Sequence, residues 1–139
     1  VRQVPDDFLS DVDYLVMNEI EAARLMGTSA AARTPQELAE ALANHHHLTA
    51  VLTLGGDGVI FTTAGKAHHL PAPVITAVDT TGAGDTFTGY LAAGLAREAD
   101  LPAVLPVAVE AASMACTRTG AQTAIPVAGP RGVLQLKID

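Results

Sequence analysis

The run Asp79-Thr80-Thr81-Gly82-Ala83-Gly84-Asp85-Thr86-Phe87 sets three small residues directly ahead of an aspartate, at the predicted start of a helix. The first N–H groups of a helix have no partner inside it, and with the helix dipole they favour an anion. Gly82, Ala83 and Gly84 can therefore cradle a phosphoryl group. The Asp85 carboxylate can take a proton from an alcohol while the amides meet charge developing on the phosphate. A plain glycine turn, followed by an aspartate favoured by the helix dipole, fits the same residues.

Two further groups follow predicted strands. Asn18-Glu19-Ile20-Glu21 has the spacing of a capping box, in which Asn18 accepts from the Glu21 amide and Glu21 reaches back to the Asn18 amide. Thr53-Leu54-Gly55-Gly56-Asp57-Gly58 reads as a glycine-rich hairpin turn. Histidines are expected to do less. His45-His46-His47 falls at a helix end, where adjacent side chains point apart, and His68-His69 alternates across a strand, so neither is expected to converge on one ion.

These residues need an alternating α/β frame to hold them. Tyr14 to Met17 reads as a short buried strand, and a helix opens at Asn18 with apolar positions Ile20, Ala23 and Leu25 before Gly27. Thr34-Pro35-Gln36-Glu37 starts a second helix running to about His45. Strands follow at Thr49 to Leu54, Val59 to Thr63 and Ala67 to Leu70, joined by turns, so antiparallel strands are added after a parallel part. A helix from Asp85 to about Arg97 carries the small residues Gly89, Ala92, Ala93 and Ala96, which suit close packing. Another helix fills Ala103 to Cys116, Thr119 to Gln122 is loop, and the tail from Val127 fits no one element. One domain or part-domain is expected, without repeats or linkers.

Composition narrows the function classes. Of 139 residues, 49% are apolar, which suits helices packed on a mostly buried sheet. A net charge of −7 with scattered Lys and Arg argues against nucleic acid as a partner. Leu101 to Val109 is too short to span a bilayer and contains Pro102 and Pro106, so no membrane segment is expected. Cys116 is the single cysteine, which fits a reducing cytoplasm. Val1 stands first and no targeting segment follows it, so the sequence reads as part of a longer chain.

The nonapeptide ending at Phe87 resembles the C-terminal signature of the ribokinase (PfkB) family of carbohydrate kinases. With it come, in the family's order, a strand followed by Asn18-x-x-Glu21, the Thr53-Leu54-Gly55-x-x-Gly58 turn, and Thr117 to Pro126. The resemblance runs from about Asp13 to Pro126. It implies a ribokinase-like α/β fold, part of a doubly wound and mainly parallel sheet with antiparallel strands at one side. Residues 1–139 would be its C-terminal nucleotide-binding and catalytic part, without the sugar-binding first half and lid, and inactive alone.

The resemblance also implies an activity: ATP-dependent phosphorylation of a small sugar hydroxyl, most of all on ribose, in a cytoplasmic homodimer. Asp85 would be the base and Gly82, Ala83 and Gly84 the anion-binding turn. Asn18, Thr53, Gly55 and Gly58 would contact nucleotide. Glu21 would hold Mg²⁺ through water, which an acidic ATP-binding protein needs to offset phosphate charge. A monovalent-cation site, taking K⁺, would use mainly backbone oxygens of Asp79, Thr81, Ala115, Arg118 and Gly120. Two residues depart from the family pattern: Tyr90, where a small residue is usual, and Ala124, where a serine would help the cation site. A fructokinase or nucleoside kinase of the same family, or a non-catalytic nucleotide-binding or assembly protein, is the alternative.

Overall fold

Thr34 and Pro35 show why the first long helix begins where it does. The Thr34 side chain accepts from the Glu37 amide at 3.2 Å, Glu37 accepts from the Thr34 amide at 2.7 Å, and Pro35 occupies the first turn, where no N–H is needed. The computed structural model describes residues 6–128, 134 and 135. The chain falls into two compact units, Val1–Pro71 and Ala72–Asp139, where the sequence reading expected one.

In the first unit, α1 (Asp6–Leu9) precedes β1 (Tyr14–Asn18), α2 (Glu19–Leu25), α3 (Pro35–His46), β2 (Thr49–Thr53), β3 (Val59–Thr63) and β4 (Lys66–Leu70). The sheet order is β1-β2-β3-β4, with β1 parallel to β2 and the other two pairs antiparallel. Leu38 and Leu42 of α3, one turn apart, are buried with Ala22, Ala23, Leu52 and Ile60 to form the core. Thr62 is buried too, and its hydroxyl accepts from the Ala50 amide at 2.9 Å. Glu40 and Asn44 tie α3 to the β3–β4 hairpin by accepting from the Ala67 amide and donating to the Gly65 carbonyl.

Several expectations shift. Ile20 is exposed, and Ala22 and Ala23 form the buried face of α2, because a seven-residue helix presents only one narrow stripe to the sheet. The β2–β3 turn is a single 3-10 turn over Gly55–Asp57, closed by a bond from the Leu54 amide to the Gly58 carbonyl. The short α1 and a 3-10 turn at Ala30–Ala32 carried no sequence signal.

The second unit holds α4 (Ala83–Leu95), α5 (Leu101–Ala115) and a two-residue ladder of β5 (Val127–Ala128) with β6 (Leu134–Gln135). The rest of the tail lies outside the described residues. Both helices begin two residues earlier than expected, and Pro106 sits inside α5. The expected close-packing stripe is corrected: Gly89, Ala92, Ala93 and Ala96 are exposed. The tight contact is at Gly94, where an added Cβ would fall inside the van der Waals envelope of the buried Val104 side chain.

Helix propensity favours Ala over Gly by about 1 kcal/mol, but overpacking against a β-branched neighbour costs about 1–3 kcal/mol. Gly94→Ala is therefore expected to lower stability by about 1 kcal/mol, and in a Val104→Ala background to raise it. Paired melting curves measure both signs.

Candidate active site

The residues singled out by chemistry fall into two groups, one in each unit. In the first unit they gather at the carboxyl ends of the parallel strands, where open α/β sheets place ligands. Asn18 ends β1 and is the register partner of Thr53, which ends β2. Asn18 caps α2: its side chain accepts from the Glu21 amide at 2.9 Å, and Glu21 Oε2 accepts from the Asn18 amide at 2.9 Å. The capping box is thus complete, and Glu21 remains exposed, with no hydrogen bond to Oε1 among the described residues. Gly58 has φ 96° and ψ −130°, a backbone state that only glycine adopts readily, so the turn beneath Thr53 depends on it.

In the second unit, α4 is entered through Gly82, whose φ of 79° is left-handed. No side chain caps this helix, and Asp85 lies inside its first turn rather than before it. The Ala83 amide bonds the Thr80 carbonyl at 3.2 Å and the Thr86 amide bonds the Gly82 carbonyl at 2.8 Å. The Gly84 and Asp85 amides between them have no partner among the described residues. The Asp85 carboxylate is exposed and likewise makes no hydrogen bond there. Two free amides and a free carboxylate at one helix start can hold a phosphoryl oxygen and take a proton.

Asp79 has a role that its sequence neighbours did not announce. Its Oδ1 accepts from the Thr81 amide at 2.9 Å and its Oδ2 from the Gly120 amide at 3.0 Å. The Gly120 bond first, and then those to Thr81, lower its pKa to about 2. What this clamp contributes to stability is present above the ordinary carboxylate range and is lost as pH falls toward 2. The Asp79 carboxylate is therefore spent on amides, and the cation contact expected at this residue is a backbone one.

Of the other expected cation contacts, the Ala115 carbonyl accepts from the Arg118 amide at 3.4 Å, while the Thr81 and Gly120 carbonyls accept nothing among the described residues. Ala124 supplies only a buried methyl. Those two free carbonyls suit a monovalent ion, and the free oxygen of Glu21 suits a hydrated Mg²⁺. Among the described residues no three His, Cys, Asp or Glu side chains cluster as metal ligands. The His45 and His46 rings do meet edge to face at 4.5 Å, against the expectation that they diverge. His68 bonds Thr63 at 2.7 Å and His69 the Asp57 carbonyl at 2.7 Å, so the two strand histidines go separate ways.

This chain belongs to the pfkB family of carbohydrate kinases, which it matches over residues 1–128. It is 33% identical over 131 residues to a ribokinase of Staphylococcus aureus, covering 91% of this chain and 42% of that protein. Its fold is ribokinase-like. The Thermotoga maritima ribokinase superposes with a TM-score of 0.80 at 29% identity, covering 90% of this chain and 42% of that one. An Arabidopsis thaliana ribokinase complexed with ribose and ATP superposes with a TM-score of 0.76 at 31% identity, covering 88% and 40%. The chain thus spans about two-fifths of these relatives, and shares of length do not bear out the expected placement in the C-terminal half.

Gly82 and Gly84 separate structural from functional need. A Cβ on Gly82 would meet the Ala121 carbonyl oxygen at 3.2 Å in a left-handed backbone, whereas one on Gly84 would meet nothing within 4 Å. Gly82→Ala is expected to cost about 1–2 kcal/mol of stability. Gly84→Ala should cost none, yet weaken binding of a phosphate ligand several-fold. Thermal melts and ATP titration of both variants check the split.

Proposed function

We propose that this chain carries nucleotide-binding and catalytic residues of an ATP-dependent sugar kinase, with ribose as the preferred acceptor. The observation that carries the reading is the unencumbered Asp85 carboxylate within one turn of the free Gly84 and Asp85 amides. Relatives named ribokinase, and one of them complexed with ribose and ATP, support the choice of substrates. Among the described residues no helix is long and apolar enough to cross a membrane. The family resemblance adds a cytoplasmic homodimer for the intact enzyme.

Asp85 accepts the proton of the sugar hydroxyl as that oxygen forms its bond to the γ-phosphorus and the bond to the ADP oxygen breaks. The Gly84 and Asp85 amides face the charge that gathers on the transferred phosphoryl oxygens. Asn18, Thr53, Gly55 and Gly58 would serve the nucleotide, and Glu21, whose Oε2 stays in the capping bond, would hold a hydrated Mg²⁺ through Oε1. The Mg²⁺, when bound, neutralises phosphate charge that an acidic chain would otherwise repel. K⁺ fits the carbonyl oxygens of Thr81 and Gly120. A purely nucleotide-binding protein would have no use for a free carboxylate at this position.

A positioned base is worth about 10²- to 10⁴-fold, or roughly 3–5 kcal/mol of barrier. Asp85→Asn keeps the shape and removes the base, so in the intact enzyme turnover should fall at least about a hundredfold while ATP affinity changes only a few-fold. Near wild-type kcat at saturating ATP and ribose overturns the assignment, and a panel including fructose and nucleosides tests the acceptor.

Cations give an independent check. Glu21→Gln is expected to raise the Mg²⁺ concentration needed for half-maximal rate while leaving the melting temperature nearly unchanged, because Gln still completes the capping box. Replacing K⁺ by a bulky organic cation should slow turnover. Equal rates in all monovalent salts would remove that site.

A further inference from the structure

Tyr90 lies on α4 one turn beyond the buried Thr86 and Phe87, on the same side of the helix. Its hydroxyl donates to the carbonyl of Pro126, 36 residues along the chain, at 2.7 Å. Burial raises its pKa, so the phenol stays a donor at neutral pH.

Within the loop it reaches, from Thr117 to Pro126, Thr117 bonds back to Met114, Thr123 to Thr119, and the Ile125 amide to Gln122. Among the described residues, the side chains of Asp79 and Tyr90 tie it to other parts of the unit. Asp79 accepts from the Gly120 amide near one end, and Tyr90 holds Pro126 at the other. Between these ties, the Ala121 backbone lies where a Cβ on Gly82 would touch it. Ala121, between the two anchors, therefore forms the floor against which the Gly82 turn rests. Pro126 is fully buried, so its carbonyl, once deprived of this donor, has no water to replace it cheaply.

We propose that Tyr90 is a positioning residue: by pinning Pro126 it holds the 117–126 loop against Gly82 and so fixes the amides of Gly84 and Asp85 at the height the reaction needs. The inference rests on the kinase reading above, and goes beyond it by giving a role to a side chain that touches no reacting atom. Misplacement of a catalytic group by about 1 Å can cost up to a hundredfold in rate, so one lost bond at the far end of the loop has kinetic reach.

Tyr90→Phe in the intact enzyme removes one oxygen and keeps the ring. Two readouts apply, both taken well below the variant's melting temperature. Hydrogen exchange should quicken about tenfold or more at the Gly120 amide and stay unchanged at α5 amides such as that of Ala108. In parallel, kcat should fall about tenfold with KM for ribose unchanged. Loss of a hydroxyl that merely adds stability would neither slow the chemistry nor selectively quicken exchange at Gly120.

Unchanged exchange at Gly120 overturns the mechanical link, whatever Asp85→Asn does. Faster exchange with wild-type kcat, in an enzyme that Asp85→Asn inactivates, overturns the positioning role while leaving the kinase reading in place. Wild-type turnover in Asp85→Asn overturns that reading itself, and the positioning role falls with it.

Discussion

One carboxylate joins the parts of the second unit that matter most. Asp79 holds the Thr81 amide beside it and the Gly120 amide 41 residues later, so the segment entering α4 and the loop leaving α5 share a single anchor. Two charge-assisted bonds to backbone amides are stronger than neutral ones, and their effect is visible in the lowered pKa of the acid. The Cys116 carbonyl adds to the same seam by accepting from the amides of Val78 and Asp79. Without that seam, Gly82 would have no fixed surface to turn against.

Given the seam, the start of α4 can be left open. A helix end normally recruits a side chain to satisfy its first amides, as Asn18 does for α2 and Thr34 for α3. At α4 the N-cap is a glycine with no side chain to offer, and the carboxylate in the first turn turns to solvent. The cost of unsatisfied donors is tolerable because they face water, and it becomes useful when an anion replaces that water. The same chain thus caps α2 and α3 with side chains and leaves α4, where chemistry is proposed, and α5 without such a bond.

The first unit solves a different problem. Its parallel strands end in register at Asn18 and Thr53, which brings two polar side chains from segments far apart in sequence to one edge of the sheet. The glycine turn that follows is shaped by backbone angles that only glycine adopts readily, at Gly58 above all. Core packing of Leu38, Leu42, Leu52 and Ile60 keeps this edge fixed without any residue of the turn being buried in it, Gly58 excepted.

The sequence by itself determined the local features. The capping boxes at Asn18 and Thr34, the strands β2 and β3, and the glycine turn into α4 before Asp85 all follow from spacings of three or four residues, which bonds along a single helix or hairpin can enforce. Tertiary structure alone decided the rest. That Asp79 bonds Gly120, that Tyr90 bonds Pro126, and that Gly94 rather than the alanine stripe meets α5 are contacts between segments whose separation no periodicity encodes. The physical reason is the same in each case: a capping bond is closed by the chain's own local geometry, whereas these partners meet only after packing has brought distant segments into contact.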